Sequence, residues 1–242
     1  MKRKLRRNRN KKNWSKAYKK QIVSQILRMS RKDIADEATH FAPLNSNQKL
    51  LIDGSPNDAI IDKGLWLNHH SYQEGYIGVA IRLLDFIKLS DSNTIKDSYI
   101  YVSLFCFRQY LELSMKDSLI HYYSEECLET MVKEIGHNLV RLYEEIKKLH
   151  GFTQDDETTA VETIINTIQG IDPKGEAFRY PYSINEETGE IKTNYNIKLG
   201  LKNVRVLRTR MLQLYNFFDG INNMVHDYKR KGITCSQQEI SK

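Results

Sequence analysis

Three charged residues at four-residue spacing are the first group in this sequence whose types could do chemistry. Arg108, Glu112 and Lys116 interrupt the apolar stretch LFCFRQYLELSMKDSLIHYY, residues 104–123. On a helix these three residues form a single stripe about 80° wide. Because buried charges are costly unless each is paired, two interpretations compete. The stripe is an internal ion-pair ladder that fixes helix register, or it is the floor of a pocket that takes a nucleotide or an RNA phosphate.

A histidine at a predicted helix start is the second candidate. His137 follows Gly136 and precedes Asn138, a residue type favoured as an N-cap, and Gly151 is typical of the C-terminal end of the same helix. An imidazole can act as a general acid or base near neutral pH. The alternative role for His137 is local, in capping or in binding a nearby carboxylate.

Two further arginines are candidate binding residues. Arg141 lies one helical turn after His137. Arg179 lies between Phe178 and Tyr180, at the start of a predicted hairpin. Strand alternation would turn the Arg179 side chain away from both aromatic neighbours.

Several common chemistries lack their sequence signatures here. The chain contains neither glycine-rich nucleotide-binding motif, and it has no H-E-x-x-H or clustered Cys and His spacing. The adjacent His69 and His70 would diverge by about 100° on a helix, too far apart to serve one metal ion from there. We therefore expect no metal site and no cofactor.

The positive charge of the chain is concentrated at its N-terminus. Residues 1–32 contain fourteen of the 37 Lys and Arg residues and no acidic residue, so the remaining 23 basic residues face 30 acidic ones. Such an arm attracts phosphate polymers in a salt-sensitive, sequence-independent way. The alternatives are a solvated tail or an arm that folds back on the acidic body. The expected nucleic-acid-contacting residues are Arg3, Arg6, Arg7, Arg9, Lys11 and Lys12.

Hydrophobic periodicity predicts a mainly all-α protein. We expect an antiparallel bundle of four or more helices, with a small β-hairpin before the last helix. Predicted helices cover approximately residues 14–29, 68–88, 94–123, 138–150, 155–170 and 202–228. Pro181, the Thr188-Gly189 turn signal and the alternation that follows predict the hairpin, at about residues 177–198.

Two helices have apolar stripes that predict which faces are buried. On the helix at residues 68–88 the stripe is Tyr72, Tyr76, Val79, Leu83 and Ile87. The last helix has the most regular stripe, with steps of three and four residues typical of bundle or coiled-coil packing: Val204, Leu207, Met211, Leu214, Phe218, Ile221 and Val225.

The predicted organisation has four parts. Residues 1–12 form a basic disordered tail, 13–65 an N-terminal helix and connecting segment, 66–230 the bundle, and 231–242 a flexible C-terminal tail. No apolar run reaches the roughly 18 residues needed to span a bilayer, and no secretory signal follows the basic start. We expect a cytoplasmic protein with no membrane association.

Four short segments, in order, resemble a group of bacterial HEPN-like proteins (higher eukaryotes and prokaryotes nucleotide-binding). They are a Tyr-x-x-Gly-Tyr helix, an Arg-x-x-x-Glu-Leu-x-x-Lys helix, a Gly-His-Asn-Leu helix start and a Phe-Arg-Tyr-Pro segment. The matching positions are Tyr72, Gly75 and Tyr76; Arg108, Glu112, Leu113 and Lys116; Gly136, His137, Asn138 and Leu139; and Phe178 to Pro181.

The resemblance implies an antiparallel helical bundle that is often a homodimer, in a family with many metal-independent ribonucleases of toxin–antitoxin and anti-phage systems. The active residues of that family form an Arg-x(4–6)-His motif. None of the seven histidines here has an Arg five to seven positions before it. The chain is therefore a non-catalytic binding member, or its arginine and histidine come from different helices, such as Arg108 with His137.

Two functional hypotheses follow. The first is an RNA- or nucleotide-binding defence protein with Arg108 and His137 as catalytic candidates, and with Glu112, Lys116, Arg141 and Arg179 as binding candidates. The second is a non-catalytic helical module that dimerises through the last helix and regulates a partner effector. The expected partners are RNA or a nucleotide, a second copy of the chain in a homodimer, and a cognate antitoxin or another defence-system protein.

Overall fold

A computed structural model of the chain describes residues 65–120, 133–185, 188–194 and 202–230. All of these residues belong to one compact unit that spans Ala59–Lys242. The predictions for the basic arm, for the helix at residues 14–29 and for the C-terminal tail lie outside the described residues.

The described part of the chain contains five helices and one hairpin, together with a helical stretch at residues 133–135, which confirms the predicted fold class. The elements are α1 (Leu65–Leu89), α2 (Asn93–Ile120), α3 (Leu139–His150), α4 (Asp156–Ile171), β1 (Tyr182–Ile184), β2 (Ile191–Thr193) and α5 (Val204–Arg230). In the described part of the chain, no helix has the length and apolarity that a membrane span requires.

Helix α2 is the centre of the bundle, as its nearly all-round apolar sequence predicts. It packs against α1, α3 and α5, and α3 in turn packs against α4. Helices α1 and α2 are antiparallel, because Phe86 contacts Tyr99 near one end of the pair and Tyr76 contacts Phe105 further along. Between these contacts, the buried Ser103 hydroxyl donates to the carbonyl of Ala80, 2.9 Å away.

The core is formed mainly by leucines, methionines and aromatic residues of α2, α3 and α5. Its fully buried members include Leu111, Met115, Leu119, Leu139, Leu142, Tyr143, Ile146, Met211 and Phe218. The α5 stripe from Met211 to Val225 is buried within the chain, as predicted. That stripe is therefore already used inside one molecule, and dimerisation through the last helix stays a prediction.

The predicted buried face of α1 is only partly correct. Ile87 is buried as predicted, but Tyr72 and Val79 are exposed. The buried residues of this helix are Gln73, Ile77, Ala80, Leu84, Phe86 and Ile87. The small side chain of Ala80 lies where α1 meets α2, so the face with less bulky apolar side chains is the one that packs.

Helices α3 and α4 are capped by residues of the types that favour helix ends. The Asn138 side chain accepts from the backbone N–H of Arg141 at 3.0 Å, and Gly151 ends α3 in the left-handed conformation at φ 60°. Asp155 and Thr158 form a capping box at the start of α4.

The hairpin before α5 is present but shorter than predicted. Its strands are three residues each and pair antiparallel, with Ile184 opposite Ile191. Gly189 adopts φ 70° in the connecting turn, which is the backbone conformation that its Thr-Gly signal predicts. Residues 177–179 are a turn rather than strand, and residues 195–198 of the predicted hairpin lie outside the described residues.

Candidate functional site

The Arg108 guanidinium joins α2 to the segment that precedes α3. Its side chain is 0% exposed. Nη1 donates to Oε2 of Glu112 at 3.0 Å, and Nη2 donates to the backbone carbonyl of His137. Arg108 therefore positions other groups, because in this conformation no solvent-borne molecule can touch it.

Glu112 is the hub of the cluster. Its side chain is only 6% exposed. Its Oε1 atom lies 2.7 Å from Nζ of Lys116 and 2.8 Å from Nδ1 of His137. We call Arg108, Glu112, Lys116 and His137 the Glu112 cluster. With neutral His137, its two cations and one carboxylate leave it one positive charge.

Opposing effects act on the ionisation of Glu112, and the net result is a pKa below the ordinary value. Burial by itself would raise the pKa of this carboxyl. The hydrogen bond and charge of Lys116, followed by those of His137, outweigh burial and lower the pKa. Glu112 is therefore a carboxylate at neutral pH, and it can only accept hydrogen bonds.

The lowered pKa of Glu112 makes the stability of the bundle depend on pH. A carboxyl whose pKa is lower in the folded state stabilises it above the unfolded pKa, about 4.3. We expect this stabilisation to be lost as the pH falls from about 4.5 through the folded pKa. Urea unfolding midpoints measured between pH 7 and pH 3 test the expectation.

Two variants serve as controls for this pH dependence. Glu112→Gln removes the titrating group, and Lys116→Met removes the leading cause of the lowered pKa. Both should lose less stability than the wild type between pH 5 and pH 3. Equal slopes in all three proteins would show that other carboxyls account for the acid sensitivity.

His137 is held at two points while its ring faces solvent. It lies between Gly136, at φ 59°, and the N-cap Asn138. Its carbonyl accepts from Arg108 and its Nδ1 contacts Glu112, yet 66% of its side chain is exposed. An ionised carboxylate accepts but does not donate, so the Nδ1 proton of a neutral ring lies toward Glu112. The Nε2 lone pair is then free to accept a proton from a ligand.

Lys116 belongs to the Glu112 cluster, and its side chain is 15% exposed. Two other predicted site residues, Arg141 and Arg179, do not join the cluster. Arg141 is exposed, and its guanidinium donates to the backbone carbonyl of Glu134 at 2.8 Å. The six arm residues are outside the described residues.

The predicted orientation of Arg179 is wrong. The guanidinium lies 4.8 Å from the ring centroid of Tyr180, and Nη2 donates to the Tyr180 hydroxyl at 2.9 Å. The reason is that Arg179 is in a turn, where side chains do not alternate as they do along a strand.

A turn that our sequence reasoning did not single out covers the buried arginine. A Cβ at Gly175 would lie 3.7 Å from Nη2 of Arg108, and the glycine has φ 75°. Asp172 holds the turn, since its Oδ1 accepts from the backbone N–H groups of Glu176 and Ala177 at 2.7 and 2.9 Å. Asp-Pro followed by Gly in DPKG is the turn signal that marks this segment.

Outside the Glu112 cluster, the described residues form a polar cleft between α1, α2 and α5. Its volume is about 220 Å³, and its lining includes Glu74, Asp117, Tyr215 and Asp219. No group of three His, Cys, Asp or Glu in the described ranges could hold a metal ion.

Comparisons with protein-family models, with curated proteins and with solved structures find no match for this chain. The geometry of the Glu112 cluster is therefore the basis for its chemistry. An exposed imidazole, oriented by a buried carboxylate and close to a lysine, can exchange a proton next to a bound anion.

Proposed function

We propose that this chain is a HEPN-like RNA-binding protein of the bacterial toxin or anti-phage defence type, with metal-independent endoribonuclease activity at His137. The observation that carries the proposal is the 2.8 Å contact between Nδ1 of His137 and Oε1 of Glu112, with the opposite side of the ring exposed. The positive charge of the cluster favours an RNA phosphate beside the imidazole.

In the proposed reaction His137 acts as the general base. Its Nε2 takes the proton of a ribose 2′-hydroxyl, and the 2′-oxygen forms a bond to the adjacent phosphorus. The bond from that phosphorus to the 5′-oxygen breaks, and the leaving 5′-oxygen takes a proton from solvent. The products carry a 2′,3′-cyclic phosphate and a 5′-hydroxyl.

Each member of the Glu112 cluster has a role in this proposal. Glu112 fixes the ring and its tautomer, and Arg108 holds both Glu112 and the backbone of His137. Lys116 lies at the edge of the cluster, where its charge offsets that of the phosphate. The arm from Arg3 to Lys12 would add sequence-independent affinity.

The test is cleavage of unstructured RNA by the purified full-length protein in the presence of excess EDTA. We expect products with 2′,3′-cyclic phosphate ends, and we expect no cleavage of RNA that is 2′-O-methylated throughout, because it lacks the attacking hydroxyl. A variant lacking residues 2–12 should cleave the same sites with a weaker salt-dependent affinity. Intact RNA after prolonged incubation would contradict the catalytic part of the proposal.

The second candidate function is a non-catalytic module that binds and regulates a partner protein, such as a cognate antitoxin or effector. The complete burial of Arg108 favours it, because a buried arginine whose hydrogen bond joins α2 to the segment before α3 is also what a structural role requires. Absence of RNA binding at low salt, with and without residues 2–12, would support this candidate over the first.

A further inference from the structure

A continuous row of aromatic rings crosses the surface of α1 and α2 and ends on the turn after α4. Tyr72 stacks on Tyr76 with centroids 6.4 Å apart, and Tyr76 meets the edge of Phe105 at 6.3 Å. The Arg179 guanidinium then lies 6.0 Å from the Phe105 centroid and 4.8 Å from that of Tyr180. We call these five residues the aromatic track.

The two ends of the aromatic track are open to solvent. Tyr72 is 59% exposed and Tyr180 is 48% exposed. Tyr72 is not among the buried residues of α1, so packing of the core does not account for its ring. Each end presents a ring on which a further flat group can stack.

Arg179 gives the aromatic track a positive charge. No carboxylate in the described part of the chain forms an ion pair with it, and its contacts there are with Phe105 and with the ring and hydroxyl of Tyr180. A guanidinium that stacks on rings without an acidic partner keeps its N–H donors available for a phosphate.

The aromatic track lies close in the sequence of α2 and of the turn after α4 to residues that contact or cover the Glu112 cluster. Phe105 lies one helical turn before Arg108 and Gln109 on α2. Gly175, in the turn that leads to Arg179, covers the guanidinium of Arg108, which in turn holds the carbonyl of His137. A strand of RNA that followed the aromatic track would therefore lead toward the exposed imidazole.

We propose that the aromatic track binds single-stranded RNA by stacking its bases on Tyr72 and Tyr180, while Arg179 contacts the intervening backbone phosphate. This inference rests on the proposed function and names its substrate class as single-stranded. Unpaired bases stack on aromatic side chains and on arginine planes, whereas a duplex keeps its bases stacked on one another. A protein ligand would also bury exposed tyrosines, but the charge of Arg179, which has no ion-pair partner among the described residues, favours an anionic, planar ligand.

The test is the affinity of the full-length protein for a fluorescent 12-nucleotide, adenine-rich RNA, 2′-O-methylated so that it is not cleaved. An abasic oligonucleotide of the same length measures the contribution of the phosphates alone. Tyr72→Leu and Tyr180→Leu should each weaken binding to the RNA about five-fold or more, and should leave binding to the abasic oligonucleotide unchanged. The corresponding Tyr→Phe variants keep the ring and should bind as the wild type does.

Ile191→Ala is the matched control, because Ile191 is an exposed apolar residue of the hairpin outside the aromatic track. It should bind RNA as the wild type does. Wild-type affinity in both Tyr→Leu variants would overturn the inference, as would an equal loss on RNA and on the abasic oligonucleotide. A change from dimer to monomer in these variants, measured by sedimentation, with RNA affinity unchanged, would identify a protein interface instead.

The outcomes for the aromatic track and for the proposed function are separable. If the Tyr→Leu variants lose base-dependent affinity but the wild type does not cleave unmodified RNA, only the catalytic proposal fails. If the wild type cleaves RNA in EDTA and both Tyr→Leu variants bind RNA with wild-type affinity, only the proposal that the aromatic track binds RNA fails.

Discussion

Replacement of Arg108 by methionine is expected to lower the free energy of unfolding by about 3–5 kcal/mol. The variant leaves Oε2 of the buried Glu112 without its fully buried partner, and it leaves the carbonyl of His137 without its donor. Loss of one member of a buried charge pair is costly because the remaining charge is not solvated. Urea denaturation followed by circular dichroism measures the effect.

Arg208→Met is the matched control for this substitution. Arg208 also pairs with a carboxylate, that of Asp85 at 2.8 Å, but both side chains are more than a third exposed. Exposed pairs contribute about 1 kcal/mol or less. If the two arginine variants lost equal stability, the burial of Arg108 would not be the reason for its importance.

A double variant separates the contribution of the ion pair to stability from the contribution of the volume that its side chains fill. In Arg108→Met with Glu112→Leu, both buried charges are replaced by apolar groups, and this kind of exchange is often neutral. We expect the double variant to be more stable than Arg108→Met alone. If the double variant had a lower free energy of unfolding than Arg108→Met, the hydrogen bonds of Glu112 to Lys116 and His137 would dominate the contribution of Glu112 to stability.

Replacement of His137 by alanine is expected to reduce RNA cleavage about 10²- to 10⁴-fold, because it removes the proposed general base. Stability should change little, since most of the ring is exposed and the carbonyl that Arg108 binds belongs to the backbone. Single-turnover cleavage in EDTA, together with an unfolding curve, measures both quantities.

His70→Ala is the control for the loss of a histidine. His70 is an exposed residue of α1 and lines the polar cleft rather than the Glu112 cluster. It should cleave RNA at the wild-type rate. Equal activity in His137→Ala and the wild type would remove His137 from the reaction, whatever the fate of RNA binding.

The sequence was sufficient to predict the helices and part of the candidate site. The four-residue spacing of Arg108, Glu112 and Lys116 predicted neighbouring charges on one helix face, and both ion pairs are present. The resemblance suggested His137 as the partner of Arg108. It could not show that the His137 ring contacts Glu112 while Arg108 donates to the His137 carbonyl. Those contacts depend on how the segment before α3 packs against α2.

The errors came from choices that only tertiary packing decides. Helix α1 has apolar residues on two faces, and its periodicity alone could not show that Ile77 and Leu84 are buried while Tyr72 and Val79 are exposed. Arg179 lies in a turn that Asp172 holds through the backbone N–H groups of Glu176 and Ala177, so alternation from the hairpin did not apply to it.

The hairpin between α4 and α5 divides the described fold into regions of unequal local stability. Its strands are three residues long, and Tyr182, Ile184 and Ile191 remain exposed. A short ribbon that buries so little apolar surface is marginally stable, so it can open while the helical core stays intact. Its backbone amides should exchange with deuterium long before those of α2, and sequence insertions at the Gly189 turn should be tolerated where insertions in α2 are not.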